Sequence, residues 1–172
     1  IVSEDQFSLV PNWSSLFGMF ALLEFNRYDL KIGNRQYRPT SADPQLVADV
    51  SAVLMKLFGE GQSAAVEFVA NNEILRYNPT TKSLTPDHIV YCKAKQLFLP
   101  ADADAKKIEN LFHAFYAENR YKPKIIFMEN VGMFSCSANK NDALTVQSLM
   151  LDAIKVVAYA ESFGGVSTMA DH

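Results

Sequence analysis

Histidine and cysteine are both scarce in this chain of 172 residues, which contains three histidines and two cysteines. The two cysteines, Cys92 and Cys136, are too few for the disulfide framework that holds many small secreted domains together. Both lie in apolar stretches without a second cysteine or histidine at metal-ligand spacing, so neither indicates a zinc site. We therefore predict buried free thiols in a reducing compartment, and place the protein in the cytoplasm.

The chain also has neither a large net charge nor a long apolar run. The net charge of −3 gives no electrostatic argument for binding nucleic acid or an acidic membrane. The longest apolar run, from Leu16 to Leu23, is far shorter than the roughly 20 residues that a membrane-spanning helix needs. We expect neither nucleic acid nor a membrane as a partner. Because the first residue is Ile1 and not methionine, we also expect this chain to be a piece of a longer protein.

The composition is that of a globular domain, with 49% apolar and 20% charged residues. The length suits one domain with a sizeable core. We divide the chain into an N-terminal segment, residues 1–40, that docks or makes an oligomer contact, and a domain, residues 41–172. Within the first segment, Gly33 and Asn34 predict a hairpin because this pair accepts the positive φ angles of tight turns.

Strands and helices alternate after residue 40, which predicts a layered α/β domain. Helices are indicated after Asp43, from Asn71, after Asp102 or Asp104, and after Asn139 or Asn141, where Asp and Asn can cap the first turn. Strands are predicted at residues 64–69, 89–92, 97–99, 125–128 and 132–136. The short link between the last two indicates an antiparallel connection, so the sheet is not wholly parallel.

Two sequence blocks resemble the class II aldolase/adducin family. The first is LTPDHIVYCKAKQLFL, from Leu84 to Leu99, and the second is KIIFMENVGMFS, from Lys124 to Ser135, with a long helix after it. The closest likeness is to the metal-less second segment of the aldolase region in bifunctional rhamnulose-phosphate aldolase/dehydrogenase-type proteins. The likeness extends over about residues 64–165.

This resemblance implies a central, mainly antiparallel sheet flanked by helices, and an oligomer with sites near subunit boundaries. It also implies a divalent metal, typically zinc, that stabilises the enediolate formed when a carbon–carbon bond of a sugar phosphate breaks. A carboxylate serves as acid and base in that reaction. The whole protein, if it is an enzyme, would then be a metal-dependent aldehyde-lyase.

The sequence departs from the family where the metal is held. The family uses a His-x-His pair and a later histidine, often in an Asn-His-Gly turn, whereas this turn is Asn130-Val131-Gly132. The chain has no His-x-His, and its histidines are His88, His113 and His172. A catalytic zinc needs three protein ligands and an open position. We therefore predict no metal and no other cofactor in this chain.

Asp87 and His88 form the most interesting pair of candidate catalytic residues. The aspartate could orient the imidazole while His88 acts as a general acid or base, or binds a phosphate. Alternatively, Pro86 and Asp87 begin a turn whose side chains cap the backbone before a strand. Lys93, on the strand-like run that follows, is the third candidate catalytic residue.

Three further residues are candidates for substrate binding. Lys95 could meet a phosphate or carboxylate, or could be an edge-strand lysine that discourages aggregation. Glu129 and Asn130 precede Gly132 at a turn, where a carboxylate could serve as an acid or base, or could be a simple turn residue.

Three functions remain open from the sequence. The first is an accessory domain that supports an aldolase unit of the same longer chain or of a partner subunit, with a sugar phosphate as substrate and a homo-oligomer as a possible assembly. The second is a non-catalytic, adducin-like interaction module, favoured if the segment from Leu16 to Phe25 exposes an apolar surface. The third is a metal-free enzyme centred on Asp87 and His88.

Overall fold

The computed structural model describes residues 40–59, 63–77, 83–161 and 164–166, together with the backbone of two short strands, β1 (Leu30–Ile32) and β2 (Arg35–Tyr37). These strands pair antiparallel with Ile32 opposite Arg35, which confirms the hairpin predicted around residues 33 and 34. The apolar segment from Leu16 to Phe25 and the terminal His172 lie outside the described residues.

A four-stranded sheet forms the centre of the domain, and helices cover both of its faces. The strands are β3 (Ala65–Val69), β4 (Leu97–Leu99), β5 (Ile125–Met128) and β6 (Gly132–Ser137), and the helices are α1 (Pro44–Phe58), α2 (Asn72–Arg76), α3 (Pro86–Cys92), α4 (Ala105–Asn119) and α5 (Lys140–Ala160). The strand order is β3-β6-β5-β4. The β3–β6 and β6–β5 pairs are antiparallel and the β5–β4 pair is parallel. The predicted layered α/β domain with a mainly antiparallel sheet is confirmed.

Short polar side chains begin all of the helices α1 to α5, and three of these caps are Asp or Asn residues that the sequence predicts as caps. Asp43, Asp104 and Asn139 each accept a hydrogen bond from a backbone N–H in the first turn of α1, α4 and α5, respectively. Because these N–H groups have no partner inside the helix, each cap fixes where its helix starts. The structure thus selects Asp104 and Asn139 from the predicted pairs of alternatives.

The alternation of apolar side chains along the strands creates two cores, one on each face of the sheet. Ile126 and Met128 face α1 and α4, whereas Ile125 and Phe127 face α2, α3 and α5. The first core includes Leu54, Leu57, Ile108, Phe112 and Phe134. The second includes Ile74, Cys92, Met133, Val146, Met150 and Ile154.

Helix α5 is a core helix. By length and composition it could cross a membrane, with a mean hydropathy of 1.3, but 44% of the same window is buried inside the domain. Its side chains Met150 and Ile154 are almost fully buried against the sheet. Such burial accounts for the apolar character of α5 without a lipid environment.

The strand predicted for residues 89–92 is wrong, because this segment is the second half of α3. Thr85, not Asp87, caps the helix: its hydroxyl accepts a hydrogen bond from the N–H of His88 at 3.2 Å. Consequently Lys93 and Lys95 do not lie on a strand. Lys93 ends α3, and Lys95 lies in the loop before β4.

Candidate functional site

Helix α3 carries the predicted catalytic pair and lies antiparallel along α5. Nε2 of His88 is 3.2 Å from the thioether sulfur of Met150. One turn further along α3, the thiol of Cys92 donates to the carbonyl oxygen of Val146 at 3.5 Å. Because the partners on α5 occur in the reverse order, the two helices run in opposite directions.

His88 is a buried, neutral imidazole in this arrangement. Its side chain is 4% exposed, and burial lowers its pKa below the ordinary value. A thioether has no proton to donate, so only the tautomer with hydrogen on Nε2 can bond to Met150. Nδ1 then has no hydrogen-bond partner among the residues that the structure describes. The exposed carboxylate of Asp87 therefore does not orient this ring.

Lys93 has a strained backbone at the end of α3. Its φ of 69° and ψ of 163° fall in a region that glycine occupies almost exclusively. The N–H of Lys93 nevertheless donates to the carbonyl oxygen of Ile89 at 3.0 Å, which closes the last turn of α3. Strain of this kind is held in place by surrounding contacts and often marks functional or moving segments.

The remaining predicted binding residues are at two ends of the sheet. Lys95 precedes β4 and forms an ion pair with Glu118 at 2.7 Å. Glu129 follows β5, where its N–H donates to Leu99 and its carboxylate accepts from the N–H of Ala101. Since β4 and β5 are parallel, Lys95 and Glu129 lie at opposite ends of this strand pair. The structure does not bring the six predicted residues together in one site.

A backbone hydrogen bond and two residues with positive φ define the turn from Met128 to Gly132. The N–H of Val131 donates to the carbonyl oxygen of Met128 at 3.1 Å, and Asn130 has a φ of 58°. Gly132 has a φ of 154°, and a Cβ there would stand 2.7 Å from the carbonyl oxygen of Val69. Only glycine fits this position, as the sequence suggested. The side chain of Val131 is 8% exposed and packs into the core beside α1 and α4.

A metal does not fit this turn. Where the family is expected to present a histidine, Val131 offers a buried isopropyl group to the apolar core. Within the described ranges, no three side chains of histidine, cysteine, aspartate or glutamate gather around a point. Burial raises the pKa of both Cys92 and Cys136 to about 12, so neither thiol is a ready thiolate ligand.

A surface groove of ligand-binding size lies between α3 and α5, and the sequence did not predict it. Its volume is about 460 Å³, and it is lined by Tyr91, Leu144, Thr145, Ser148, Leu149 and Asp152. None of the six predicted residues lines it. Thr145, Ser148 and Asp152 recur at helical spacing on the outer face of α5, which is the signal that was available in the sequence.

Comparison with known proteins identifies the family of this chain. A family model described as aldolase class II, second domain, matches residues 43–171. The chain belongs to the class II aldolase family. The match begins at the cap of α1 and includes the whole four-stranded sheet and helices α1 to α5. Neither the curated proteins nor the solved structures gave a match. The narrower likeness to bifunctional proteins stays a prediction.

Proposed function

We propose that this class II aldolase domain is an accessory domain of a sugar-phosphate aldolase and does not itself hold the catalytic metal. The catalytic unit would lie in the same longer chain or in a partner subunit. The whole protein would cleave a carbon–carbon bond of a sugar phosphate in the cytoplasm, where Cys92 and Cys136 stay reduced.

The packing of Val131 is the observation that carries this proposal. The turn has the asparagine and glycine expected of the family's metal-binding turn, but its middle side chain points into the core. A ligand at this position would have to leave the core to meet a metal. The nearby Glu129 can supply one protein ligand, and a catalytic zinc needs three.

The first test is the metal content of the purified chain. After dialysis against trace zinc and manganese, elemental analysis should give far less than one metal ion per chain. A value near one per chain would contradict the proposal, and ligands would then be sought around His88, Glu129 and a partner subunit.

The second test is reconstitution with the catalytic unit of the natural protein. Rhamnulose 1-phosphate is the substrate to try first because of the sequence likeness. Adding this chain should raise the cleavage rate of the catalytic unit, whereas the chain alone should be inactive with or without zinc. The variants Glu129→Gln and Lys95→Met change the two ends of the β4–β5 pair. A smaller increase in the cleavage rate with either variant would show that this end contributes to the activity.

An adducin-like interaction module is the second candidate, because apolar side chains are exposed on the outer faces of α3 and α5. Val90 is 60% exposed, Tyr91 45% and Leu144 38%. Clusters of exposed apolar side chains are typical of protein interfaces. If this function is correct, Tyr91→Ala should abolish binding to a partner without changing any cleavage rate. A metal-free enzyme centred on Asp87 and His88 has less support, because neither ring nitrogen of His88 bonds to Asp87.

A further inference from the structure

The packing of helix α3 on α5 buries the imidazole of His88 in an unfavourable environment. The imidazole is the third residue of α3, at the positive end of the helix dipole. Protonation would place a charge in an apolar interface and add an N–H at Nδ1, which has no acceptor among the described residues. Among the described residues, the partner of the buried ring is the thioether of Met150, a weak acceptor. The docked helix therefore tolerates neutral His88 and disfavours its charged form.

Backbone strain at the other end of α3 also disfavours the docked helix, independently of His88. The backbone of Lys93 is held at a φ of 69° and a ψ of 163°, which a lysine avoids. The N–H of Lys93 bonds to Ile89, and the neighbouring Cys92 packs on α5, so the docked helix holds Lys93 in this geometry. Undocking the helix would let Lys93 relax to an ordinary conformation. Both ends of α3 thus favour release, and the apolar contacts between them oppose it.

We propose that α3 is a pH-gated element, which undocks from α5 at mildly acidic pH when His88 takes up a proton. Its release relaxes Lys93 and uncovers the thiol of Cys92 and the apolar side chains of Val146 and Met150. The rest of the sheet and α5 stay folded.

The sign of the pH dependence follows from the direction of the pKa shift. Burial alone lowers the pKa of His88 below 6.5, and no charged group contributes to the shift. Besides the thiol of Cys92, the charged side chains on the elements packed around it are Asp87 on α3, Lys140, Asp142, Asp152 and Lys155 on α5, Glu73 and Arg76 on α2, and Lys124 before β5. An undocked His88 has the ordinary pKa of 6.5, so well above that pH the imidazole is neutral in both forms. Between pH 6.5 and the lowered pKa of the docked form, the undocked form takes up a proton and the docked form does not, so undocking increases by up to about tenfold per pH unit.

Hydrogen exchange of the whole chain from neutral to mildly acidic pH, corrected for intrinsic exchange rates, tests this proposal. Amides of α3 should open increasingly as the pH falls, whereas amides of α4 should not. His88→Leu should remove this pH dependence, and His88→Gln is the second choice if the leucine variant does not fold. His113→Gln is the control, since His113 is an exposed histidine on α4. Equal opening of α3 at all pH values, or a persisting pH response in both His88 variants, would overturn the proposal.

Two substitutions of Lys93 test the contribution of backbone strain. Lys93→Gly should lower the opening of α3 several-fold at every pH, because glycine accepts the docked conformation. Lys93→Ala removes the same side chain but keeps the strain, so it should leave the opening unchanged. The dependence on pH should be the same in both variants. If glycine and alanine had equal effects, relief of strain would play no part in undocking.

Discussion

Gly132 and Val69 approach so closely across the β3–β6 pair that a Cβ atom on Gly132 would be 2.7 Å from the carbonyl oxygen of Val69. The same atom would meet the ring of Phe68 at 2.8 Å. Because the carbonyl oxygen of Val69 belongs to the backbone of β3, which is paired with β6, it cannot move aside freely, and a side chain at position 132 must displace the β5–β6 turn.

Gly132→Ala should therefore destabilise the domain by roughly 2–4 kcal/mol, through the positive φ and the clash together. The free energy of unfolding from urea denaturation measures this change. Gly165→Ala is the matched control: Gly165 also has a positive φ, but a Cβ there would meet nothing within 4 Å. Gly165→Ala should lower the free energy of unfolding by about 1 kcal/mol. Similar losses in the two variants would mean that the contact with Val69 does not matter.

Restoring a histidine in the Asn-Val-Gly turn should not restore a metal site. Val131→His would put an imidazole into the core beside α1 and α4, at a cost of roughly 2–4 kcal/mol in unfolding free energy. Added zinc should not recover this loss, because the other ligands are missing. Val131→Ala is the control for lost packing alone. Stabilisation of the histidine variant by zinc, with none for the alanine variant, would show that a latent site exists.

Removing the N-terminal cap of α2 should lower the free energy of unfolding more than removing the cap of the longer helix α5. Asn71 is fully buried and accepts hydrogen bonds from the N–H groups of Glu73 and Ile74, at 3.0 and 2.8 Å. Asn71→Ala leaves these donors without a partner and without access to water, so it should cost about 2 kcal/mol or more. Asn139→Ala, at the exposed cap of α5, should cost about 1 kcal/mol. The free energies of unfolding of the two variants, measured by urea denaturation, show which substitution costs more.

Much of the fold could be predicted from local sequence signals. Asp43 before Pro44 predicts the start of α1, and Asn139 or Asn141 before an apolar helical pattern predicts the start of α5 to within two residues, because capping is a local interaction. The strand prediction for residues 89–92 is wrong because Ile89, Val90 and Tyr91 favour strands, although they belong to α3. The competing signal was Thr85 before Pro86, a cap followed by proline in the first turn. Packing of His88 and Cys92 on α5 then outweighed the strand preference of the residues between them.

The candidate site was less predictable, because it depends on distances between distant parts of the chain. Sequence could suggest that His88 and Lys93 are unusual, but not that Met150 would be the partner of the imidazole. It also could not show the backbone strain of Lys93, which arises where a short helix meets the loop to β4. The absence of a histidine between Asn130 and Gly132 was visible in the sequence, but the burial of Val131 was not.

The two thiols should differ in how they become reactive. Burial raises the pKa of Cys92 and Cys136 to about 12, so at pH 8 only about one thiol in ten thousand is ionised. Alkylation of the folded protein should accordingly be at least about a thousandfold slower than that of an unfolded control, in which both react. With a disulfide reagent that reacts at acidic pH, Cys92 should be labelled as α3 undocks, while Cys136 inside β6 stays protected. Mass spectrometry of the labelled peptides separates the two. Labelling of Cys136 at the same rate would mean that the whole domain opens at acidic pH, and not α3 alone.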